Sequence, residues 1–440
     1  MKKVLIISYY WPPAGGPGAI RVVKFAKYLL QFGWQPVVLT VEKGEFPYLD
    51  PSLEKEIPPT IPVYRSPAFD PFRFYKKFTG KARDETIPVA VLTHRNRNWR
   101  ERLAAFVRSN LFVPDARVGW VPFAARMARN IIRKENINLV FISSPPHSSQ
   151  LIGLRLKKQT AIPWVADFRD PWTEIKYYQF VKRWKVIQQI DRDWEKKVLS
   201  FADRITTVSK TLVQSFAQRL AQGASEKFIE LPNGYDELDF EGLPPAPEDE
   251  TFDILHTGNL QDHQNPSILW DALKRMILEN RERERIRVQL IGRTHPSILQ
   301  EVEAKGLQQQ VTARPFIPHK EIPPLLKKAD LLLVVVPRVE NNRSIVTGKV
   351  FEYLGARTPI LAIGPPEGDL GTILKPIPNC RIIDYTDADT LYEYLTQAFE
   401  QWKQQQWRIE DSWDPGAYSR KSLTRQLAEL FNTLVPTPPG

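Results

Sequence analysis

Short, uninterrupted apolar runs separated by longer amphipathic segments are the feature of this chain that most restricts its fold. A strand buried on both faces is apolar at every position, whereas a strand with one solvated face alternates. Continuous strands with helices between them therefore predict an α/β fold with parallel sheets. Six such runs occur in the first half: Val4–Ile7, Val37–Thr40, Leu139–Ser143, Trp164–Asp167, Ile205–Val208 and Phe228–Leu231.

The strand–helix pattern pauses at a proline-rich, acidic stretch over residues 241–250 and then restarts. Such a composition is typical of a linker, and 440 residues suit two domains. We predict an N-terminal domain at 1–240, a linker at 241–250, a C-terminal domain at 251–412 and a terminal helix at 413–434 that packs back on the N-terminal domain. The fold class is two Rossmann-like parallel-sheet domains that face each other across a cleft. The second set of predicted strands is Phe252–Thr257, Val288–Gly292, Leu331–Val336 and Ile360–Ile363.

Composition excludes several classes of protein. The single cysteine, Cys380, excludes a disulfide framework and a cysteine-based zinc site, and we expect no metal site and no cofactor. No run approaches the roughly 18 apolar residues of a membrane-spanning helix. The apolar run near the start ends at Ser8 without the cleavage site of a signal peptide. We expect a cytoplasmic protein that is soluble or peripheral to the membrane.

The positive charge of the chain is concentrated in one segment. Residues 70–135 carry 15 Lys and Arg against 6 Asp and Glu, so they hold +9 of the formal net charge of +11. The segment is also rich in aromatic residues. Basic and aromatic residues together favour an anionic membrane surface as a partner, and a solvated basic face is the alternative. We expect no nucleic-acid partner, because the sequence carries none of its binding motifs.

Polar and glycine-rich segments follow the predicted strands, where parallel sheets bind their ligands. The loop after the first strand contains Gly15, Gly16 and Gly18 and leads into a helix, so its backbone N–H groups could contact an anion or simply form a turn. His147 follows a central strand as either a functional or a structural histidine. The segment Asp167–Trp172 either fixes a substrate or forms its own ion pair through Arg169.

The second half contains a better phosphate-binding candidate. Thr347, Gly348 and Lys349 stand at a predicted helix start, where backbone N–H groups, the helix dipole and an ammonium group converge. Glu352 lies three residues after Lys349, on the same face, and could accept hydrogen bonds from vicinal ribose hydroxyls. A simple Lys–Glu pair within the helix is the alternative. The spacing is not that of a Walker P-loop.

Taken together, these motifs resemble the retaining GT-B glycosyltransferases of family 4, over almost the whole chain. The similarity is carried by Pro12–Gly16 after the first strand, by His147, and by a Gly-Lys-x-x-Glu-Tyr motif at 348–353 followed by Pro359. The segment Asp167–Trp172 is similar to that of bacterial members. The resemblance implies an enzyme that uses a nucleotide-sugar donor.

The resemblance also implies roles for individual residues. Lys349 would contact the donor diphosphate and Glu352 the ribose, while His147 would contact the donor sugar and Asp170 the acceptor. The implied catalytic residues are His147, Lys349 and Asp170. The acceptor would be a glycan or a lipid-linked sugar. The implied donor-binding residues are Gly15, Gly16, Gly18, Gly258, Asn259, Arg293, Phe316, Ile317, Thr347, Gly348, Lys349 and Glu352.

Three departures from the family pattern leave other functions open. Ser344 replaces a usual Glu, and Asn259 and Gln264 stand where the family usually has Arg and Lys. The first hypothesis is a hexosyltransferase-like enzyme of surface polysaccharide or glycolipid synthesis. The alternatives are a nucleotide-sugar epimerase or hydrolase of the same fold and a non-catalytic glycosyltransferase-like subunit. The donor sugar, its base, the acceptor and the oligomeric state do not follow from the sequence.

Overall fold

The computed structural model describes residues 1–47, 49–69, 106–107, 109–174, 182–220, 225–244, 250–280, 284–407, 409 and 413–436. Contacts divide the chain into two compact units. The first unit comprises Met1–Pro232 and Lys421–Gly440, and the second comprises Asn233–Arg420. The first unit is therefore built from both ends of the chain, and residues 241–250 fall within the second unit.

A parallel sheet forms the centre of the first unit, in the spatial order β3-β2-β1-β4-β5-β6-β7. Strands β2 and β3 lie on one side of β1, and strands β4 to β7 lie on the other, so the strand order reverses between β1 and β4. Ser8 at the end of β1 lies opposite Ser143 of β4. The loops after β1 and β4 therefore leave the sheet side by side, at a position where α/β folds bind ligands. The strands are β1 (Lys2–Ser8), β2 (Trp34–Val41), β3 (Val63–Ser66), β4 (Leu139–Ser144), β5 (Trp164–Phe168), β6 (Arg204–Thr207) and β7 (Phe228–Glu230).

Helices follow most of these strands. Leu5 and Ile7 of β1 pack in one core with Val121 and Ala124 of the second helix. The intervening residues of β1 enter a different core, so both faces of the strand are buried and its sequence is apolar throughout. The helices are α1 (Pro17–Leu29), α2 (Val121–Lys134), α3 (Gln150–Gln159), α4 (Lys185–Phe201) and α5 (Lys210–Ala217).

The second unit has a smaller parallel sheet, in the order β10-β9-β8-β11-β12-β13. Its strands are β8 (Phe252–Thr257), β9 (Ile286–Ile291), β10 (Val311–Arg314), β11 (Leu331–Val335), β12 (Ile360–Ile363) and β13 (Arg381–Ile383). Its helices are α6 (Ser267–Glu279), α7 (Pro296–Ala304), α8 (Ile322–Lys328), α9 (Gly348–Ala356), α10 (Asp369–Leu374) and α11 (Ala388–Lys403).

The last helix, α12 (Arg420–Leu434), packs on the sheet of the first unit. Its residues Leu427 and Phe431 are buried in one core with Val4 and Ile6 of β1. The ring of Phe431 also meets Trp34 edge-on, at a centroid distance of 5.3 Å. In the described ranges, none of the helices combines the length and apolar character needed to cross a bilayer.

All ten strands predicted from the apolar runs are present in the structure, with each end within three residues of the predicted one. The apolar runs missed β3, β10 and β13, which are three of the four edge strands of the two sheets. An edge strand has one neighbour and is only partly covered, so it lacks an uninterrupted apolar run. Their sequences, Val63–Ser66, Val311–Arg314 and Arg381–Ile383, each include an exposed arginine.

Candidate functional site

The N-terminus of α9 is the strongest candidate binding point in the second unit. Thr347 precedes the helix in an extended conformation, and its side chain caps none of the backbone N–H groups of the first turn. Its buried Oγ1 atom has no hydrogen-bond partner among the described residues. Uncapped N–H groups and the helix dipole attract an anion. Thr347, Gly348 and Lys349 therefore lie where a phosphate group would be stabilised.

Lys349 adds positive charge at this helix end. Its Nζ atom lies 3.2 Å from Nε2 of His256, which belongs to β8. Burial lowers the pKa of Lys349 to about 8, although the charge of Glu352 opposes the shift. The amine is thus mostly protonated at neutral pH, and it forms no ion pair with any described residue.

Two glycine turns make room for that amine. Gly258 has a φ of +97°, and a Cβ atom there would lie 3.0 Å from Nζ of Lys349. Gly292 has a φ of +128°, and a Cβ atom there would lie 2.4 Å from the carbonyl oxygen of Gly258. Glycine alone adopts this backbone conformation without strain while allowing so close an approach. The turns after β8 and β9 are therefore packed against each other, and the first of them lies against Lys349.

The residues that follow these glycines have different roles. Oδ1 of Asn259 accepts a hydrogen bond of 3.3 Å from the backbone N–H of Arg293. The side chain of Arg293 is exposed, and its guanidinium forms no hydrogen bond or ion pair with another described residue. Asn259 thus braces the loop, while Arg293 remains available to a ligand.

Glu352 lies one helical turn after Lys349 but does not pair with it. Its Oε1 atom lies 3.2 Å from Nε2 of His319. Glu352 and Lys349 form no ion pair among the described residues, so the Lys349–Glu352 pair that the spacing left open is absent. Phe316, which is 83% exposed, and the half-buried Ile317 belong to the same loop as His319. The residue predicted to bind ribose is thus next to the loop that carries the predicted donor-binding residues Phe316 and Ile317.

The residues that depart from the family pattern make structural contacts. Gln264 donates from Nε2 to the carbonyl oxygen of Val335 at 3.0 Å. The hydroxyl of Ser344 donates to the carbonyl oxygen of Asn341 at 3.0 Å. Gln264 therefore links its turn to the end of β11, Ser344 stabilises its own turn, and neither side chain brings a charge.

Two arginines that could replace the missing cations are already engaged. Arg338 lies over the ring of Tyr385 at 4.6 Å and donates to the carbonyl oxygen of that residue. Arg343 pairs with Glu367 at 3.3 Å. Among the four cations Arg293, Arg338, Arg343 and Lys349, only Lys349 and Arg293 have no carboxylate or aromatic partner among the described residues.

In the first unit, close packing explains Gly15, in the loop between β1 and α1, and Gly18, in the first turn of α1. A Cβ atom at Gly18 would lie 2.2 Å from Nη1 of Arg169, and one at Gly15 would lie 2.8 Å from Cβ of Asp50. Gly16 precedes α1 with a φ of +83°. Arg169 is itself anchored, since it donates to the carbonyl oxygen of Pro145 at 2.7 Å. The segment after β5 therefore places the guanidinium of Arg169 against the first turn of α1.

Asp167 pairs with a residue other than its neighbour Arg169. Its carboxylate is fully buried, and Oδ1 accepts a hydrogen bond of 2.9 Å from Arg21 of α1. Ser143 and Thr206 also donate to this carboxylate, at 2.6 and 2.8 Å. Burial opposes ionisation, but Arg21 and the hydroxyl groups lower the pKa of Asp167 overall. Asp167 is therefore a structural anion, whereas Asp170 is exposed after the strand.

His147 is buried at the carboxyl end of β4, where it begins a short 3₁₀ turn. Its ring stacks on Trp172 at 5.3 Å, with an interplanar angle of 8°. Neither ring nitrogen has a hydrogen-bond partner of ordinary geometry among the described residues. Burial lowers the pKa of His147 to about 3; the carbonyl of Pro171 opposes the shift, and Arg169 adds to it. The imidazole is therefore neutral and has a free nitrogen to offer a ligand.

Helix α4 holds the aromatic partner of His147 in place. Nε1 of Trp172 donates to Asp191 at 2.7 Å, and Asp191 pairs with Arg183 at 2.8 Å. The next residue, Thr173, donates from its hydroxyl to Glu195 at 2.8 Å. Asp191 and Glu195 are four residues apart, so both lie on one face of α4. Neither acid was predicted from the sequence as a site residue, although two acids at this spacing on an amphipathic helix indicate a shared role.

His256 and His319 were also given no role by sequence analysis. His256 lies two residues before Gly258, and His319 lies three residues after Phe316, so both are next to predicted site residues. Their partners Lys349 and Glu352 are 93 and 33 residues away in the chain. Local patterns carry no information about contacts at that separation.

Comparisons with known proteins agree with this architecture. Residues 81–237 match the model of Glycosyltransferase Family 4. No curated protein matches the chain in sequence. A glycosyltransferase from Rickettsia africae ESF-5 has a TM-score of 0.61 at 13% identity, over 99% of both chains.

Two further solved structures are similar to this chain. Alr3699/HepE of Anabaena, solved in complex with UDP and glucose, has a TM-score of 0.61 at 14% identity, over 98% of this chain and 100% of that chain. Sucrose-phosphate synthase of Thermosynechococcus elongatus has a TM-score of 0.58 at 16% identity, over 99% of this chain and 96% of that chain. The predicted fold class is confirmed: this chain has the GT-B fold of glycosyltransferases, and its resemblance to family 4 is confirmed by the family model that matches residues 81–237.

Proposed function

We propose that this chain transfers a sugar from a nucleoside-diphosphate sugar to a glycan or lipid-linked acceptor, with retention of the anomeric configuration. The observation that supports this most strongly is the uncapped N-terminus of α9 with the ammonium group of Lys349 beside it. The complex of the Anabaena protein with UDP and glucose supports a nucleotide-sugar donor by analogy. We place the reaction in the synthesis of a cell-surface polysaccharide or glycolipid.

In this proposal the donor diphosphate lies at the start of α9. The acceptor oxygen attacks the anomeric carbon as the bond from that carbon to the diphosphate breaks, and the leaving phosphate takes the acceptor proton. Negative charge grows on the diphosphate, and preorganised cations and N–H groups stabilise it. Lys349 and the exposed Arg293 supply the cations, while Glu352 accepts hydrogen bonds from the ribose hydroxyls. We propose no metal ion or cofactor.

We propose His147 as the contact to the donor sugar and Asp170 as the contact to the acceptor. His147 is neutral because of its burial, so it serves as a hydrogen-bonding group with little capacity to act as a base. Neither of its ring nitrogens forms a hydrogen bond of ordinary geometry with a described residue, which supports a ligand role over a purely structural one. Asp170 is exposed, in contrast to the fully paired Asp167.

We propose the cytoplasmic face of the membrane as the place of action, with the basic segment 70–135 as the contact. Residues 70–105 and residue 108 of that segment lie outside the described residues. In the described part, α2 exposes Arg126, Arg133 and Lys134 together with Phe123. Exposed cations with a neighbouring aromatic side chain suit an anionic lipid surface.

The experiment that tests the function is a mass-spectrometric screen of nucleotide sugars, alone and with lipid-linked acceptors. We expect the mass of one acceptor to increase by one sugar residue, with release of a nucleoside diphosphate. Conversion or hydrolysis of the donor without an acceptor would instead identify an epimerase or hydrolase. Binding of donor with no turnover would favour the non-catalytic subunit, a possibility raised by the uncharged Asn259 and Gln264.

A further inference from the structure

His256 is a buried polar side chain that links two elements of the second unit. The residue is fully buried in β8, and its Nδ1 atom lies 2.8 Å from the carbonyl oxygen of Leu333 in β11. A carbonyl oxygen can only accept, so Nδ1 carries the proton. Nε2 therefore has a free lone pair, and it points to Nζ of Lys349 at 3.2 Å. The hydrogen bonds run from the lysine to the histidine and on to the sheet.

A neutral acceptor has a particular consequence for a phosphate-binding lysine. An ammonium group has three N–H donors, and His256 takes one of them. A carboxylate in the same place would fix the amine equally well but would cancel its charge. The imidazole fixes the amine and leaves its full positive charge, with two donors, for an anionic ligand.

We propose that His256 is a positioning residue, which holds the ammonium group of Lys349 at the N-terminus of α9 without neutralising it, so that a donor diphosphate meets a fixed cation. This inference rests on the proposed donor-binding function of the same helix end. His256 acts through Lys349 and is not itself a ligand of the diphosphate.

The groups around this pair determine which of them titrates. Lys349 is faced by His256 from β8 and by Glu352 from its own helix, while His256 is faced by Lys349 from α9 and by an uncharged carbonyl from β11. Burial and the adjacent ammonium hold the pKa of His256 well below its ordinary value. The histidine is therefore neutral throughout the neutral range, and any change of charge near pH 8 belongs to Lys349.

Two polar substitutions separate the two hydrogen bonds of His256. The amide of His256→Gln extends as far as Nε2 does and can still accept from Lys349. The side chain of His256→Asn is shorter. Its amide can still donate to the carbonyl oxygen of Leu333, but it does not reach Nζ of Lys349, so only the hydrogen bond to the lysine is lost. A hydrogen bond to a charged group stabilises by enough to change affinity about tenfold or more. At pH 7 we expect His256→Asn to raise the Kd of UDP about tenfold and His256→Gln to raise it less than about threefold.

The pH dependence gives a readout that a purely structural role does not change. Binding requires the ammonium form, so affinity for UDP falls as the pH rises through the pKa of Lys349. Loss of the acceptor lowers that pKa by on the order of one unit. The fall in affinity therefore occurs at lower pH in His256→Asn, whereas His256→Gln retains the wild-type profile.

A titration of the Lys349 amine without nucleotide distinguishes this inference from the proposed function. NMR of reductively ¹³C-methylated protein, with the Lys349→Arg variant to assign the signal, should give a midpoint near pH 8 in the wild type and a lower one in His256→Asn. If UDP fails to bind the wild type, the proposed function fails, and this titration still decides the role of His256. Equal midpoints in folded wild-type and Asn variants, as judged by circular dichroism, overturn the inference. If the Asn variant does not fold, His256→Gln is used instead. We expect its midpoint to equal that of the wild type, and a shifted midpoint in this variant overturns the inference.

Discussion

At the scale of single residues, a neutral histidine is what we expect at position 147. Burial against Trp172 lowers the pKa of His147 to about 3, so the ring does not change its charge between pH 5 and 8. His147→Phe retains the stacking surface and removes both nitrogens. We expect steady-state turnover to fall about ten- to hundredfold, as for loss of one strong hydrogen bond, with the shape of the pH profile unchanged.

Two outcomes would contradict the role proposed for His147. Full turnover by a folded His147→Phe enzyme would show that the ring is only a packing element. A wild-type profile with a His147-dependent step near pH 6 would show that burial does not hold the ring neutral. His295→Phe is a matched control, since His295 lies in the second unit at the start of α7.

The roles of single residues could be predicted from the sequence only in part. The positions of His147, Lys349 and Glu352 after strands and at a helix start follow from local patterns. The partner of Asp167 does not, because Arg21 is 146 residues away and a nearer arginine stands two positions along. The contact exists because β5 lies in the sheet close to the start of α1, which is a property of the topology.

At the scale of elements, the Arg21–Asp167 pair joins α1 to β5. Arg21 also donates to the carbonyl oxygens of Leu231 and Pro232, at 2.8 and 2.7 Å, so it also connects α1 to the segment that follows β7. Removal of one partner of a buried ion pair typically costs about 3–5 kcal/mol. We expect Arg21→Met to lower the free energy of unfolding of the first unit by that amount, measured by urea titration with tryptophan fluorescence.

The pH dependence of this effect follows from the direction of the pKa shift. The folded pKa of Asp167 is below its unfolded value, so the stabilisation is present at neutral pH and disappears as the pH falls through the folded pKa. The difference between wild type and Arg21→Met should therefore narrow in acid. Arg126→Met, on an exposed face of α2, is the control and should change stability by less than about 0.5 kcal/mol. A loss of under about 1 kcal/mol in Arg21→Met contradicts the assignment.

Elements were the level at which the sequence was most informative. Central strands such as β1 and β11 are buried on both faces, so their apolar runs are unbroken and could be recognised. The edge strands β3, β10 and β13 are short and partly exposed, so the same criterion misses them. The pattern of apolar residues thus identifies strands that are buried in a core and misses short strands at the edge of a sheet.

At the scale of the whole molecule, charge is the property with the clearest consequence. Residues 70–135 hold +9 of the net charge of +11, so we expect binding to liposomes that contain anionic lipid. The binding should weaken as salt rises, because exposed charges are screened over about 10 Å at 0.1 M salt. Sedimentation with anionic liposomes and with neutral liposomes measures this binding. Equal binding to neutral liposomes contradicts the proposal, and the double variant Arg126→Gln/Arg133→Gln should bind more weakly than the wild type.

The account as a whole depends on the N-terminus of α9 as a diphosphate site. Isothermal titration calorimetry with UDP tests this directly, with Lys349→Ala as the variant and Lys375→Ala as an exposed control lysine in the same unit. We predict that UDP binds the wild type and Lys375→Ala equally, and that Lys349→Ala raises the Kd at least about tenfold. No binding of nucleoside diphosphates by the wild type, or equal affinity in Lys349→Ala, would contradict the account.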